Sequence, residues 1–284
     1  MSSIKVAAAI FRADPTNVGD WWSPPHRYFD LDPELELDIV NVTSSISFNG
    51  PCIIGGGGLG RENFKIYLDA LKNANPKNPI IAWGVGSDLN YFNPDDYSCS
   101  SNIDLLGDYF DNFDVVGSRV WDANKSSQWV PCASAMNPIF DRYYDTQPDV
   151  DVLVYSHKRR KIVGKSAINF FKKNKEFLNI PKNISVLTLD NDGNNIFEKI
   201  STMARARVVV TNSYHGVYWA TLLNKKVICI PFKSGLYSFR HRPHYISNNI
   251  DVDDLHVAPN FPDAISECRD ANNKFHDMLA QRFC

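Results

Sequence analysis

The stretch VVVTNSYHGVYWATLLNKKVICIP, Val208 to Pro231, holds two runs rich in Val and Ile on either side of a helix-length segment. Short β-branched runs of this kind predict buried strands, and two parallel strands need a crossover between them, most often a helix. Ser213 stands where that helix would begin, and serine is a preferred helix N-cap. The stretch therefore predicts a strand–helix–strand unit of a parallel sheet.

The same alternation continues through the rest of the chain. Further strand-like runs are IKVAAAIF, LDIVNV, PCIIGG, PIIAWGVG, FDVVGS and WVPCAS in the first half, and VDVLVYSH and ISVLTL in the second. The helical patterns between them are ENFKIYLDALKNA, NIDLLGDYFDNF, KSAINFFKKNKEFL, NNIFEKISTMARA and, at the end, PDAISECRDANNKFHDMLAQRF. Buried strands that alternate with helices are typical of parallel sheets covered on both faces.

The series pauses at YYDTQPDVD, where proline and aspartates interrupt it. We therefore predict an α/β fold of two Rossmann-like, doubly wound domains, residues 1–147 and 148–284, with a cleft between them. The last helix is expected to pack back on the first domain. A chain of 284 residues with 44% hydrophobic content is long enough to bury two such cores.

Composition excludes several classes of protein. The formal net charge of -2 provides no global positive field that would gather nucleic acid, so any anion site must be local. We expect a cytoplasmic protein, because no apolar run is long enough for a signal peptide or a membrane span. The six cysteines are dispersed and predict buried free thiols. No CxxC, HxxxH or HExxH spacing occurs, so we expect no metal.

The glycine run in IIGGGGLGREN follows a predicted strand and matches the dinucleotide spacing at Gly55, Gly57 and Gly60. That fingerprint requires an acidic residue at the end of the next strand, and PIIAWGVG ends in glycine. We therefore reject a dinucleotide site. Gly57 and Gly58 are instead predicted to allow close approach of a ligand to the backbone.

NVGDWWSPP follows the first predicted strand and carries Asn17, Gly19 and Asp20 at a strand-to-helix corner. Asp20 is either a cap of that helix or part of a site. Trp21 and Trp22 are either core residues or a stacking surface for a sugar ring.

His215 and Gly216 fall in the first turn of the helix that begins after Ser213. Backbone N–H groups there lack intrahelical partners and the helix dipole is positive, so the turn is suited to bind a phosphate or a carboxylate. A histidine in that field should be neutral until an anion arrives. The alternative is a core histidine bonded to a neighbouring carbonyl.

Basic residues gather at the predicted carboxyl ends of other strands, which meet at one edge of a sheet. They are Lys233, Arg240, His241 and Arg242 in PFKSGLYSFRHRPH, His157, Lys158, Arg159 and Arg160 in YSHKRRK, and Arg119 in GSR. Because the chain has no net positive charge, this clustering favours a binding site over a solvated face.

These motifs together resemble the polysaccharide pyruvyltransferases. The resemblance rests on NVGDWWSPPHRYF, GGGGL, GSR followed by VPCASAMNPIFD, and above all TNSYHGVYWATLLNKKVICIPFKS. It implies a fold like that of two-domain glycosyltransferases of the GT-B type. It also implies metal-free transfer of the enolpyruvyl unit of phosphoenolpyruvate to two hydroxyls of a sugar, with release of phosphate. One departure is Tyr214, where many members carry Arg or Leu.

The resemblance makes His215 the general acid and leaves Asp20, His26 and His157 as candidates for the base. The donor contacts that it implies are Arg119, Lys233 and Ser234, with Arg240 as a substitute for the residue missing at position 214. The first turn of the helix adds Ser213, Tyr214 and Gly216 to the predicted donor contacts. The acceptor contacts that we predict are Asn17, Gly19, Trp21, Trp22, His26, Gly57 and Gly58.

We expect phosphoenolpyruvate as co-substrate, no cofactor, and a galactose-type hexose as acceptor. Its carrier would be a surface polysaccharide or lipid-linked precursor, which would bring the protein to the inner face of the membrane. Two alternatives remain open: a GT-B glycosyltransferase that uses a nucleotide sugar, and a non-catalytic sugar-binding module. The acceptor hydroxyls, the stereochemistry of the ketal and the oligomeric state do not follow from the sequence.

Overall fold

The computed structural model describes residues 4–60, 62–86, 113–121, 128–159, 185–246 and 252–283. These residues form two parallel β-sheets, of six and five strands. The first sheet has the order β2-β1-β3-β4-β5-β6, and its strands are β1 Val6–Phe11, β2 Pro33–Asp38, β3 Cys52–Gly55, β4 Ile80–Val85, β5 Val115–Ser118 and β6 Gln128–Trp129. The second has the order β8-β7-β9-β10-β11, and its strands are β7 Val150–Ser156, β8 Val186–Asp190, β9 Ala206–Thr211, β10 Lys226–Cys229 and β11 His244–Tyr245.

Both sheets repeat one winding. In each, the second strand of the domain lies at one edge, the first strand comes next, and the third follows on its other side. The direction of winding therefore reverses between β1 and β3 and again between β7 and β9. Ligands of open parallel sheets bind outside the carboxyl ends of the strands at such reversals.

Helices occupy most of the connections in the described part of the chain. They are α1 Val18–Trp21, α2 Glu62–Ala74, α3 Ile139–Tyr143, α4 Ile196–Ala204, α5 Tyr214–Leu222, α6 Val252–Val257 and α7 Ala264–Phe283. Single-turn helices lie at Pro25–Arg27, Ile39–Asn41, Ala133–Met136 and Ser234–Leu236. None of the described helices is long and apolar enough to cross a membrane.

The strands send alternate side chains to opposite faces, and both faces are covered. In β3, Ile54 belongs to the cluster that α2 covers, whereas the adjacent Ile53 packs on the other face with residues of α7. In β9, Val209 faces the cluster that contains α5, and Val208 faces the other side of the sheet. This is why the strands are apolar runs and not alternating ones.

Helix α7 contacts both sheets. Cys268, near its start, is buried in the core that contains α5, whereas Phe275 and Leu279 pack against Trp83 of the first sheet. Asn272 accepts a hydrogen bond from the Trp83 indole at 2.8 Å. The helix thus ties the two halves of the chain together.

Most predicted elements are present, and two strand predictions are wrong. LDIVNV contributes only its first two residues to β2, which is the half-polar edge strand PELELD, because Ile39–Asn41 turn into a single-turn helix. WVPCAS contributes only Trp129 to β6 before Pro131 ends the pairing and Ala133–Met136 form another single turn. The helices predicted over NIDLLGDYFDNF and KSAINFFKKNKEFL lie almost wholly or wholly outside the described residues.

Cys52, Cys132, Cys229 and Cys268 are free and buried, as predicted, and Cys99 and Cys284 lie outside the described residues. The predicted boundary at 147/148 falls between α3 and β7. Residues on its amino-terminal side, among them Cys132 and Phe140, are nevertheless buried in the core of the second sheet.

Candidate functional site

A cavity of about 310 Å³ lies where the carboxyl ends of the two sheets face each other. Nine of the predicted site residues line it: Asn17, Asp20, Gly58 and Arg119 from the first half of the chain, and His157, Ser213, Tyr214, His215 and Lys233 from the second. Each lies in the segment that follows a strand, or at the start of the helix after it. The winding of the sheets therefore brings together residues that are up to 216 positions apart in the sequence, from Asn17 to Lys233.

His215 lies in the first turn of α5, after Ser213, which has the extended backbone of an N-cap. Its side chain lines the cavity although the residue is only 5% exposed. Burial, with Arg119 and Lys233 adding to it, holds the pKa of His215 well below its usual range. The predicted neutral state is therefore present, but burial is its main cause and not the helix dipole alone.

Two glycines are explained by packing around His215. A Cβ on Gly19 would lie 2.0 Å from His215 Nδ1, so only glycine lets α1 of the first half sit against the imidazole. A Cβ on Gly216 would lie 2.2 Å from Thr211 Oγ1, so Gly216 lets α5 pack closely on β9. Neither lines the cavity; Gly216 does not serve to uncover the helix amides as we expected.

Arg119 is the most unusual charge in the cavity. It is 6% exposed, its guanidinium lies 3.6 Å from the centre of the Tyr214 ring, and it fits only because Gly86 has no side chain. Its Nη1 is buried without a hydrogen-bond partner among the described residues. A desolvated guanidinium with an unused donor is costly in the empty protein and is repaired by an anion that accepts from it.

Asp20 is oriented by a chain of amides that crosses between the domains. The backbone N–H of Lys158 donates to Asn191 Oδ1 at 2.7 Å, so the Asn191 amide nitrogen must be the group that donates to Asn17 Oδ1 at 2.9 Å. Asn17 in turn donates to Asp20 Oδ2 at 2.6 Å. Because a backbone N–H can only donate, the direction of every bond in this chain is fixed.

Asn191 was not among the predicted site residues. It is 3% exposed, follows β8, and also accepts a backbone bond from Val18 N at 3.1 Å. In the sequence LDNDGNN it is one of three asparagines in a polar loop, and only the position of β8 at the carboxyl edge pointed to it.

Lys158 closes the same edge of the cavity. Its ammonium group donates to the carbonyl and hydroxyl oxygens of Thr16 and lies 3.8 Å from Asp14 and 3.7 Å from Asp192. The side chain thereby joins the loop after β7 to the loop after β1. His157, beside it, lines the cavity and its Nδ1 accepts from Arg159 N at 3.2 Å.

The predicted aromatic surface for a sugar is used for packing. Trp22 donates its indole N–H to Asn194 O at 2.6 Å and packs on the core of the second sheet, and Arg27 lies over the rings of both Trp21 and Trp22. The His26 ring is tilted against Phe11, with the ring centres 5.1 Å apart, and its Nε2 lies 3.5 Å from Glu36. Burial, with Arg27 adding to it, lowers the pKa of His26 despite Glu36. None of these three predicted residues lines the cavity.

The remaining predicted residues lie around the cavity and not in it. Gly57, in the left-handed region at φ +71°, turns the chain beneath Asp20, whose Oδ1 is 3.3 Å from where a Cβ would stand. Ser234 begins the single turn after Lys233. Arg240 lies between the rings of Trp121 and Trp129 and pairs with Glu267 at 3.1 Å, so it does not reach the cavity as a substitute at position 214.

The cavity also has a wall that was not predicted, formed by Arg12, Leu59 and Phe64. Arg12 pairs with Asp38. Phe64, in the first part of α2, is the aromatic ring of the first half that does line the cavity. Among the described residues, no three His, Cys, Asp or Glu side chains converge to hold a metal ion.

Residues 123–234 match the family model described as polysaccharide pyruvyl transferase. This match confirms the family resemblance over those residues, which include His215 and Lys233. No curated protein matches the chain.

Among solved structures, a proposed UDP-N-acetylglucosamine 2-epimerase from Listeria monocytogenes is similar, with 12% identity, 96% of this chain and 90% of that chain covered, and a TM-score of 0.51. A Staphylococcus aureus MnaA–UDP complex matches with 12% identity, 97% of each chain covered and a TM-score of 0.48. The likeness to the Listeria protein concerns the fold. Together with the two helix-covered parallel sheets it confirms the predicted α/β, two-domain, Rossmann-like class.

Proposed function

Because residues 123–234 match polysaccharide pyruvyl transferases, we propose that this protein is a phosphoenolpyruvate-dependent ketal-pyruvyltransferase. It moves the enolpyruvyl unit onto two hydroxyls of a sugar, a galactose-type hexose in a surface polysaccharide or lipid-linked precursor, and releases phosphate. The observation that carries this proposal is the buried Arg119, with its unpaired Nη1, in the same cavity as the helix turn that holds His215.

The charge of the cavity fits a small, highly anionic donor. Five cationic side chains line it against two carboxylates, which leaves an excess of three positive charges; they are Arg12, Arg119, Lys158, Arg159 and Lys233 against Asp14 and Asp20. Phosphoenolpyruvate carries a phosphate and a carboxylate and no other charge. The planar guanidinium of Arg119 suits bidentate binding of either group, and the first turn of α5 offers amides to the other.

The chemistry needs an acid beside the donor. Proton transfer to the methylene carbon of phosphoenolpyruvate creates an oxocarbenium-like centre at its C2, which one sugar hydroxyl attacks. The second hydroxyl then displaces phosphate, so both hydroxyl protons leave, one to replace the proton that the acid delivered and one with the phosphate. His215 supplies the acid.

Substrate binding would activate that acid. In the empty protein the pKa of His215 is lowered by burial and by the positive charges of Arg119 and Lys233. An anion that binds those two groups cancels their effect and adds negative charge beside the ring, so the pKa of His215 rises. Donor binding and protonation of His215 are therefore coupled.

Two of the three candidate bases remain. Asp20 and His157 line the cavity, whereas His26 does not. Asp20 is favoured because the amide chain through Asn17 holds one carboxylate oxygen in a fixed orientation.

The test is release of phosphate from phosphoenolpyruvate, measured with and without a panel of hexose acceptors. We expect release only with an acceptor, and loss of release in His215→Ala with retention of the native circular dichroism spectrum. The competing glycosyltransferase function predicts that a nucleoside diphosphate raises the melting temperature and phosphoenolpyruvate does not. Saturation at 100 times the Kd adds about 2.7 kcal/mol to stability, which such a measurement detects. Free sugar that binds without turnover of any donor would favour the sugar-binding module.

A further inference from the structure

His215 contacts a fully buried thiol that has no role in the proposed reaction. Cys132 Sγ lies 3.5 Å from His215 Nε2 and 3.2 Å from Ser134 Oγ. Trp219, one turn after His215 on α5, donates its indole N–H to the same Ser134 oxygen at 3.0 Å. Cys132, Ser134 and Trp219 are all fully buried.

The direction of these bonds follows from what each group can do. An indole N–H only donates, so Ser134 Oγ accepts from Trp219. Among the described residues, the remaining side-chain partner of Ser134 Oγ is Cys132 Sγ, so the hydroxyl proton is satisfied by donation to sulfur. The thiol proton is then directed to His215 Nε2.

The charge state of the pair agrees with this direction. Burial raises the pKa of the Cys132 thiol, even though Ser134 and Arg119 act against that shift. Burial, Arg119 and Lys233 lower the pKa of His215. The pair is therefore a thiol and a neutral imidazole, not a thiolate and an imidazolium, so the sulfur has a proton to donate and Nε2 has a lone pair to accept it. A thiol that is fully buried does not act as a nucleophile.

The other ring nitrogen has no partner of this kind. No described residue makes a hydrogen bond with His215 Nδ1, which lies against Gly19, and Asn17 and Asp20 on either side of Gly19 in the sequence line the cavity. Because His215 lines the cavity and its Nε2 contacts the thiol, Nδ1 is the ring nitrogen left to bind a ligand.

We propose that Cys132 is a positioning residue: through the Trp219–Ser134–Cys132 chain it holds His215 in the tautomer that carries its proton on Nδ1. The opposite tautomer would direct the proton at sulfur and present a lone pair to the cavity. In the ligand-free protein the neutral ring therefore presents an N–H, and not a lone pair, to an anion that enters the cavity. This inference rests on the proposed role of His215, but its first test needs no substrate.

The first experiment is ¹⁵N NMR of the histidine rings in the ligand-free protein at a pH above the pKa of His215, with His215→Gln to identify the signal. We expect a pyrrole-like Nδ1 and a pyridine-like Nε2. The reverse pattern would overturn the proposal whatever the protein catalyses. If the pattern is as expected but phosphoenolpyruvate is not turned over, the proposed function fails and the tautomer assignment stands.

The second experiment compares Cys132→Ala with Cys132→Ser, which keeps a hydroxyl donor. In the alanine variant we expect the Nδ1–H signal to lose population and kcat to fall by about fivefold, which corresponds to one ordinary hydrogen bond. KM for phosphoenolpyruvate should stay within about twofold, since the thiol does not line the cavity, and serine should restore both the signal and kcat. If the alanine variant does not fold, Ser134→Ala removes the orienting oxygen and is expected to give the same mixed signal. An unchanged Nδ1–H signal in a folded Cys132→Ala protein would refute the role of the thiol.

Discussion

The donor side of the cavity and its acceptor side differ in what their side chains contact. We define the donor side as the first turn of α5 with Arg119 and Lys233, and the acceptor side as the loop from Asn17 to His26. On the donor side, His215 and Arg119 are buried, and Arg119 Nη1, which carries part of a positive charge, has no hydrogen-bond partner among the described residues. On the acceptor side, Trp22 and Asn17 are hydrogen-bonded to other groups, and His26 lies 3.5 Å from Glu36 through Nε2, although its buried Nδ1 also lacks a partner among the described residues.

The difference follows from the cost of each arrangement. A buried cation without a partner lowers the stability of the empty protein, so it persists where a ligand makes use of it. Indole rings that cover a core stabilise the protein whether or not a ligand is present. The donor side is therefore suited to bind an anion, whereas Trp22 and Asn17 on the acceptor side contact the second half of the chain.

The largest expected effect is at His215. His215→Gln removes the acid but keeps a polar side chain of similar size, so we expect kcat to fall by about 10² to 10⁴ with little change in KM for phosphoenolpyruvate. His244→Gln is the matched control, because His244 pairs with Asp254 on the edge strand and does not line the cavity. Equal loss of activity in both variants would show that the effect is structural.

A substitution of Arg119 is expected to weaken donor binding without lowering the stability of the protein. Arg119→Met removes the buried charge and keeps most of the volume, so we expect KM for phosphoenolpyruvate to rise by about 10- to 100-fold, as for loss of a hydrogen bond to a charged group. The free energy of unfolding should not fall, because the unpaired Nη1 is lost together with the contact to Tyr214. Urea unfolding without substrate measures the second effect, and a clear loss of stability would contradict the view that the unpaired Arg119 Nη1 is costly in the ligand-free protein.

Sequence and structure agree where topology alone places a residue. Arg119 directly follows β5, and His215 and Lys233 come four residues after the ends of β9 and β10. Parallel pairing brings such positions to one edge whatever the core contains. Agreement fails for residues that lie further from the end of a strand. Trp21 and Trp22 would look the same as a stacking surface or as core, and the reason for Gly19 is an imidazole 196 positions away in sequence.

For other residues the neighbouring sequence does not indicate a place in the site. Cys132 lies in a run that looked like a strand until Pro131 ended it, and its contact with His215 depends on how the Ala133–Met136 turn packs on α5. Asn191 is distinguished from its neighbouring asparagines only by the hydrogen bonds that it makes in three dimensions.

The pH dependence of stability compares one histidine from each side. The pKa of His215 is lowered well below its usual value and that of His26 is also lowered. Below about pH 6.5 the unfolded chain binds protons that these two buried rings do not. As the pH is lowered through this range, the free energy of unfolding therefore falls by at most about 1.4 kcal/mol per pH unit for each ring. Above that pH the contribution of both rings to stability is present in full. Urea unfolding between about pH 5 and pH 7.5 should show a flatter slope in both His→Gln variants, and more so for His215. If the slope decreases more in His26→Gln than in His215→Gln, the expected order of the two histidines is wrong.

The smallest effect is expected at Asn191, and it tests whether the acceptor side takes part in the reaction. Asn191→Asp replaces the donor to Asn17 by a second acceptor, so Asn17 loses its orientation and with it the hold on Asp20 Oδ2. If Asp20 is the base, kcat should fall by roughly fivefold, about 1 kcal/mol, with KM for phosphoenolpyruvate unchanged because the donor contacts lie across the cavity. Asn194→Asp in the same loop is the control, since Asn194 meets Trp22 through its backbone carbonyl and not its side chain. A rise in KM for phosphoenolpyruvate with unchanged kcat would contradict this expectation. The amide chain would then hold the two domains around the donor, and His157, not Asp20, would accept the hydroxyl proton.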